Sequence, residues 1–333
     1  MEEATRQHFL KHGKEEYQDQ LQDCHWCQLR SFTTHQAAPV TVVNAVDNET
    51  LPPAFRFIDE NVLGHGVKPA EPSFRSGCSC EEYGDCQYRG CLCLAELEDD
   101  CDDEADDGQG PDDRPWLRKA YAYHTHGAKA GLLRSRLHSS KLPLYECHMG
   151  CSCALTCPNR VVERGRTVPL QVFRTEDRGV RTQEAIKRGQ FVDRYVGEVI
   201  SSAEADRRRA AAAVSQCKDV YLFALDKFTD VASLDPRLCG PPLEVDGEFM
   251  SGPTRFINHS CDPNLRIFAR VGDHADKHMH DLAFFAIKDI QKGEELTFDY
   301  VDGGSLEAEE QEGTLDEMTR CLCGCSNCRG FLW

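Results

Sequence analysis

The sequence has no apolar stretch approaching 18 residues, so nothing in it reads as a membrane-spanning helix. Its opening, MEEATRQHFLKHGKEEYQDQ, lacks the apolar segment of a secretory signal. Basic charge is short: 38 Lys and Arg stand against 56 Asp and Glu, for a net charge of −18. A general nucleic-acid binder needs a basic footprint and is disfavoured on that ground. A basic protein or ligand is the better electrostatic match. No G-x-G-x-x-G follows a strand-like run, so a Rossmann nucleotide site is not indicated. Internal repeats are absent. What the chain has in abundance is cysteine, 19 in 333 residues. Without a secretory signal these thiols stay reduced, and they point to metal rather than to disulfides. The length predicts about two domains.

Residues 1–75 form an N-terminal segment to which the sequence assigns no role. A polar, helical start leads to Cys24-His25-Trp26-Cys27, an isolated C-x-x-C that reads either as plain thiols or as a metal or redox pair. Residues 41–63 alternate enough for a strand or two, broken at Pro52-Pro53. Residues 76–165 form a cysteine-rich region holding an acidic loop, 96–113, in which eleven of eighteen residues are acidic and none is basic. Without that loop the net charge would be −7, so it carries most of the imbalance. It reads as a solvated loop, or as a mimic of an acidic partner. The stretch 114–145 that follows is basic, through Arg114, Arg118, Lys119, Lys129, Arg134, Arg136 and Lys141, and its apolar spacing predicts a helix. Residues 168–300 read as a mainly β domain of small sheets, with runs such as VPLQVFRT, LRIFARV and DLAFFAIKDI and one helix at 201–216. An acidic linker, 301–316, leads to a cysteine-bearing tail, 317–333.

The cysteines fall into two constellations. The first is Cys78, Cys80, Cys86, Cys91 and Cys93, followed by Cys147, Cys151, Cys153 and Cys157. Zinc takes four tetrahedral ligands, and thiolates suit it. Two separate sites would leave one thiol over, whereas six terminal and three bridging thiolates fill the positions of three zinc ions. Such a cluster leaves no open position for catalysis and is structural. The second is Cys321, Cys323 and Cys328, one short of a closed site, which either the intervening Cys325 or a distant residue completes. Cys101, Cys217 and Cys239 have no partner at ligand spacing.

Three further motifs stand in order: Tyr195-Val196-Gly197-Glu198, then Arg255-Phe256-Ile257-Asn258-His259-Ser260-Cys261, then Glu295-Leu296-Thr297-Phe298-Asp299-Tyr300. With nine cysteines before them and C-x-C-x4-C after, residues 76–333 resemble the SET-domain protein lysine methyltransferases. More narrowly, they resemble the Su(var) clade of histone H3 lysine-9 methyltransferases and its small fungal members without a chromodomain. The resemblance implies a SET fold of small β-sheets with a C-terminal pseudoknot, between a pre-SET zinc cluster and a zinc-binding post-SET tail. It implies S-adenosylmethionine as methyl donor, three zinc ions in the first cluster and a fourth held by Cys261, Cys321, Cys323 and Cys328.

By the same resemblance Tyr300 and Tyr195 are catalytic, and Phe298 sets how many methyl groups are added. Arg178, Gly179, Val180, Asp219, Tyr221, Arg255, Asn258, His259, Leu322 and Trp333 are the cofactor-side positions. Taken singly, Tyr195 and Tyr221 are ordinary strand aromatics and His259 a core histidine; the order of the motifs argues otherwise. The family's cofactor loop reads Arg-Gly-Trp-Gly, whereas this chain reads Arg178-Gly179-Val180-Arg181, two residues shorter and without the aromatic ring. The implied substrate is the basic tail of histone H3, added as a strand beside residues 221–228. Asp226 is a candidate partner for a substrate arginine, or an ordinary surface carboxylate. Nucleosomes and heterochromatin adaptor proteins are the implied partners, and nucleus and chromosome the implied location. Direct DNA contact is left open, and rival readings are a catalytically weak histone-tail reader and a methyltransferase for another lysine.

Overall fold

The structure, a computed structural model, describes residues 3–11, 23–81, 84–88, 90–97, 121–174, 178–214, 221–301 and 319–332. The acidic loop from residue 98 on, Arg114, Arg118, Lys119, Asp219, the linker 302–316 and Trp333 lie outside the described residues.

Alternation of apolar and polar residues gives each strand one face for the core. In Leu170–Arg174, Leu170 and Val172 are buried while Gln171 is half-buried; in Glu295–Phe298, Leu296 and Phe298 are buried. The strand Asp281–Ala286 is buried along nearly its whole length, as befits a place inside the sheet. The largest sheet runs Val40–Val43, Leu170–Arg174, Arg178–Thr182, Glu295–Phe298, Leu265–Val271, Asp281–Ala286 and Phe191–Tyr195. A second orders Val62–Leu63, Glu198–Ile200, Glu244–Asp246 and Leu222–Ala224, and Arg56–Phe57 pairs with Met250–Ser251. Residues 40–63 therefore add a strand to each of three sheets, and the N-terminal segment is woven into the β domain. The expected helix at 201–216 appears as Ser202–Val214. Its Arg208 reaches Glu204, Glu198 and Asp246 at 2.6 to 2.9 Å, which fixes it against the second sheet.

The chain crosses itself at Glu295–Phe298. This late strand lies between Arg178–Thr182 and Leu265–Val271, and Asn258–His259 runs parallel beside it with His259 opposite Phe298. Ser260 N–H donates to Phe298 O at 3.0 Å, so the stretch 258–265 arches over the passing strand as a pseudoknot.

Two sequence-based expectations change. The basic stretch is not a helix: its described part, 121–145, holds short 3₁₀ turns at Gly127–Lys129 and Ser135–Leu137 and a bridge between Tyr123 and Leu133. Gly127 and Gly131 sit at φ of 67° and 81°, which a continuing right-handed helix cannot accommodate. Its apolar residues Tyr123, Leu133 and Leu137 are nonetheless buried, packed with Phe191 and Phe285 of the main sheet. And Arg178-Gly179-Val180-Arg181 is not a loop but part of the strand Arg178–Thr182, paired over five residues with Leu170–Arg174.

The cysteine-rich region is joined to the sheet through one buried carboxylate. Glu146, fully buried, accepts hydrogen bonds from Tyr123 Oη (2.6 Å), the backbone N–H groups of Val161, Val162 and Glu163, and Arg270 Nε (3.1 Å). Arg270 also pairs with Glu163 at 2.7 Å and Asp281 at 3.0 Å. Removing one partner of such a network leaves an uncompensated buried charge, at a cost of about 3–5 kcal/mol.

Candidate active site and metal centres

The three motifs converge where the late strand passes under its arch. The Phe298 ring sits 4.7 Å from Tyr300, 4.9 Å from Phe284 and 5.8 Å from Phe223, which is itself 4.6 Å from Tyr195. The strand expected to carry both residues ends at Phe298 and Tyr300 lies in the turn beyond it, yet the two rings meet. Tyr300 Oη donates to Ile257 O at 2.8 Å, and Tyr195 Oη donates to Tyr221 O at 2.8 Å. Burial pushes the Tyr195 phenol well above its ordinary range, with only the nearby Arg255 cation opposing, so this hydroxyl stays protonated.

Arg255 forms one wall. Its guanidinium lies 3.9 Å from the Tyr221 ring centroid and 4.9 Å from those of Phe55 and Phe256, and its Nε donates to Gly247 O at 2.9 Å. Gly247 has to be glycine here, since a Cβ would fall 2.3 Å from Tyr195 Oη. On the other side Asn258 Nδ2 donates to Glu295 Oε1 at 2.8 Å. Both face Gly179, where a Cβ would lie 2.6 Å from Glu295 Oε1 and 3.2 Å from Asn258 Nδ2. Glycine is required at 179 because Glu295, Phe173 and Asn258 already fill the space of a side chain, and the carboxamide–carboxylate pair so placed suits the polar groups of an adenosyl-amino-acid cofactor.

His259 is fixed at both ring nitrogens. Its Nδ1 accepts from Tyr300 N–H at 3.2 Å, which places the proton on Nε2, directed at Cys261 Sγ 3.2 Å away. Burial lowers its pKa, so the ring is neutral and acts as a spacer between Tyr300 and the thiol. Asp299 lies 3.6 Å from Nδ1; burial opposes its charge, but its paired contact with Arg329 at 2.6 and 2.7 Å keeps its carboxyl below the ordinary range.

Tetrahedral zinc with Zn–S near 2.3 Å sets its sulfurs about 3.8 Å apart. In the first constellation Cys78 lies 3.7 Å from Cys86 and 3.9 Å from Cys147, Cys147 lies 3.9 Å from Cys157, and Cys93 lies 3.4 Å from Cys151. All nine cysteines, Cys80, Cys91 and Cys153 included, belong to overlapping four-thiol groups of metal-binding size. The buried guanidinium of Arg160 lies 3.3 Å from Cys153 Sγ; its Nη1 also faces Glu163 at 3.9 Å, and its Nε makes no hydrogen bond. A buried cation there needs an anionic neighbour, which a thiolate cluster supplies. In the tail Cys261 lies 3.7 Å from Cys321, with Cys323 and His259 in the same group and Cys328 against Cys321. Cys325 lies 3.5 Å from Cys323. Backbone N–H groups of Arg329 and Gly330 donate to Cys261 Sγ and Cys328 Sγ, at 3.4 and 3.3 Å.

The structure thus gathers Tyr195, Tyr221, Arg255, Asn258, His259, Phe298, Tyr300, Gly179 and both thiol sets. Four expected residues stand apart. Val180 is fully buried in the core, and Arg178 turns its guanidinium to Glu3 at 3.2 Å. Leu322 is exposed, as is Asp226 beyond the edge strand Leu222–Ala224. Phe223, Gly247 and Glu295 were not expected. Phe223 and Glu295 lie inside quoted motif runs, but only the fold shows which of their neighbours face inward.

Comparison with known proteins places these features in context. Residues 177–301 match the SET domain and residues 32–160 the Pre-SET motif. A histone-lysine N-methyltransferase from Fusarium mangiferae, H3 lysine-9 specific, is 65% identical over 100% of this chain and 99% of its own. The solved Neurospora SET-domain protein DIM-5, a histone lysine methyltransferase, is 57% identical with a TM-score of 0.70, over 86% of this chain and 100% of its own. Arabidopsis thaliana SUVH6, solved in complex with SAM, is 26% identical with a TM-score of 0.61, over 89% of this chain and 53% of its own.

Proposed function

The chain belongs to the SET-domain histone-lysine N-methyltransferases, and from that premise we propose how its residues perform the reaction. The protein is a histone H3 lysine-9 N-methyltransferase that acts on chromatin and uses S-adenosylmethionine. The observation that carries the assignment of roles is the convergence of Tyr195, Phe223, Phe298 and Tyr300 into one aromatic column beside Asn258 and His259.

When bound, S-adenosylmethionine supplies an electrophilic methyl group on a sulfonium cation. The protein must present a neutral lysine amine in line with it. A free lysine has a pKa near 10.4, so neutralising it at pH 7 costs about 4.6 kcal/mol. The aromatic column excludes water and the Arg255 cation stands close by; both lower the amine's pKa. Tyr300 and Tyr195, their hydroxyls oriented by the carbonyls of Ile257 and Tyr221, align the amine, and alignment supplies much of the rate. Tyr195 stays a protonated hydrogen-bonding group and is not the base. Asn258, held by Glu295, and the backbone at Gly179 form the cofactor side, with Tyr221, Arg255 and His259; Asp219 and Trp333, outside the described residues, and Leu322, exposed on the tail, are assigned to it by the family resemblance alone. The histone tail pairs with the edge strand Leu222–Ala224, and Asp226 receives a substrate arginine. Phe298 offers no hydroxyl to hold a methylated amine, so the product extends to trimethyl-lysine. Three zinc ions occupy the nine-thiolate cluster and one the Cys261–Cys321–Cys323–Cys328 site. The enzyme works at the chromosome in heterochromatin with adaptor proteins.

The test is methyl transfer to recombinant histone H3 with the modified residue located by mass spectrometry. Tyr300→Phe is expected to reduce turnover by about 100-fold, the scale of losing one oriented donor, with unchanged melting. Near-normal turnover would move the role to Tyr195. The wild-type rate rises between about pH 7 and 9.5 if amine deprotonation limits it; a flat profile removes that step from the rate. Cofactor binding without any transfer would identify a reader instead.

A further inference from the structure

A third group of side chains of metal-ligand type lies far from both clusters in sequence. His8, on the helix Glu3–Lys11, points its Nδ1 at two sulfurs: Cys24 Sγ at 3.5 Å and Cys27 Sγ at 3.7 Å. Cys24 is buried and precedes the helix His25–Ser31, which carries Cys27. The Trp26 ring stacks on His8 at 4.2 Å, and the Arg30 guanidinium lies over Trp26 at 4.5 Å, so the imidazole is held in place. One ring nitrogen set close to two sulfurs is the arrangement that a shared cation between them produces. Tetrahedral zinc with Zn–S near 2.3 Å and Zn–N near 2.05 Å sets sulfur and nitrogen about 3.6 Å apart, which both distances meet.

We propose that His8, Cys24 and Cys27 bind a zinc ion that is separate from the two thiol clusters of the catalytic region. A donor set of one imidazole and two thiolates from a C-x-x-C pair suits zinc among the available metals. The ion clamps the first helix onto the second. That helix begins with Glu3, whose buried carboxylate accepts Leu51 N–H at 3.1 Å and pairs with Arg178 at 3.2 Å. Arg178 opens the strand that carries Gly179. The metal therefore braces, through Glu3 and Arg178, the strand whose Gly179 packs against Asn258.

The experiment measures zinc per chain, by plasma mass spectrometry on the dialysed full-length protein. Cys24→Ser/Cys27→Ser and His8→Ala are each expected to hold about one zinc fewer than wild type, while Cys239→Ser, at an exposed thiol, matches wild type. Where the serine pair fails to fold, His8→Cys, which keeps a donor, retains the ion that His8→Ala loses. Alkylation mapped by mass spectrometry should leave Cys24 and Cys27 unmodified until a chelator is added. Equal zinc in His8→Ala and wild type, immediate alkylation of both thiols, or a Cys24–Cys27 disulfide in protein purified without reductant overturns the proposal.

Discussion

The two thiol sets of the catalytic region share a residue type and differ in setting. In the first, Cys78, Cys86, Cys91, Cys93, Cys147 and Cys157 are buried. They form the middle of a small core with Leu94, Tyr145 and Val271. In the tail, Cys261, Cys321, Cys323, Cys325 and Cys328 are all half-exposed, and their neighbours are His259 and the chain carrying Tyr300. The first set replaces a hydrophobic core that its region cannot build from apolar side chains. The second brings together segments 60 residues apart, at the edge of the catalytic column. One thiol set lies inside a core and the other at the edge of the site.

Substitutions can break this contrast in order of severity. Cys147→Ser removes a fully buried thiol that contacts both Cys78 and Cys157. Structural zinc contributes about 10–16 kcal/mol in small domains, as much as a domain's whole stability. The variant is expected to lose its cooperative thermal transition and most cluster zinc; a normal melt would make the cluster dispensable. Cys328→Ser is expected to abolish methyl transfer while shifting the melting temperature by only a few degrees. Cys325→Ser distinguishes the fourth ligand: full activity there assigns Cys261, and inactivity assigns Cys325.

A smaller effect tests stability away from the thiols. His280 is buried, and its pKa is pushed down to about 4, chiefly by desolvation. Unfolded, it would titrate near 6.5. Between those values the unfolded chain holds the extra proton, so the stabilisation is complete above pH 6.5 and is lost as pH falls toward 4, up to about 3 kcal/mol. His280→Gln should melt less steeply with acidification from pH 7.5 to 5 than wild type; parallel slopes would remove His280 as the cause. The smallest effect is on product. Phe298→Tyr adds a hydroxyl worth about 0.5–1.5 kcal/mol of hydrogen bonding, enough to shift a partition ratio two- to tenfold. Mass-spectrometric time courses on a histone H3 peptide should show mono- and dimethyl-lysine accumulating. A uniform slowing of every step would mean that Phe298 only packs.

The site was more legible in the sequence than the fold around it. Tyr195, Asn258, His259 and Tyr300 sit in contiguous motifs, and two-residue spacing already put Phe298 and Tyr300 together, although the strand itself ends at Phe298. The strands Leu265–Val271 and Asp281–Ala286 were readable because they are long and apolar. The role of residues 40–63 was not, because its strands are two to four residues long and pair with partners far along the chain. Periodicity carries no information about such pairing. The basic stretch misled for another reason: apolar spacing that fits a helix also fits a set of turns packing Tyr123 and Leu133 inward, and two left-handed glycines decide between them. The shortened Arg178–Arg181 segment became a strand because its neighbours offered ladders on both sides.

The crossing at Glu295–Phe298 also orders events during synthesis. Its partners, Arg178–Thr182 on one side and Asn258–His259 on the other, are both made before it, yet neither can close the catalytic column until residues 295–300 arrive. The tail cysteines at 321–328 come later still. Until then the main sheet is two separate halves, one ending at Arg178–Thr182 and the other at Leu265–Val271, and the active site is missing its centre. A nascent or prematurely terminated chain would therefore carry the nine-cysteine region and the residues of the edge strand Leu222–Ala224 without the strand that unites the main sheet. A chain that stops before residue 295 lacks Phe298 and Tyr300 and is therefore expected to transfer no methyl group.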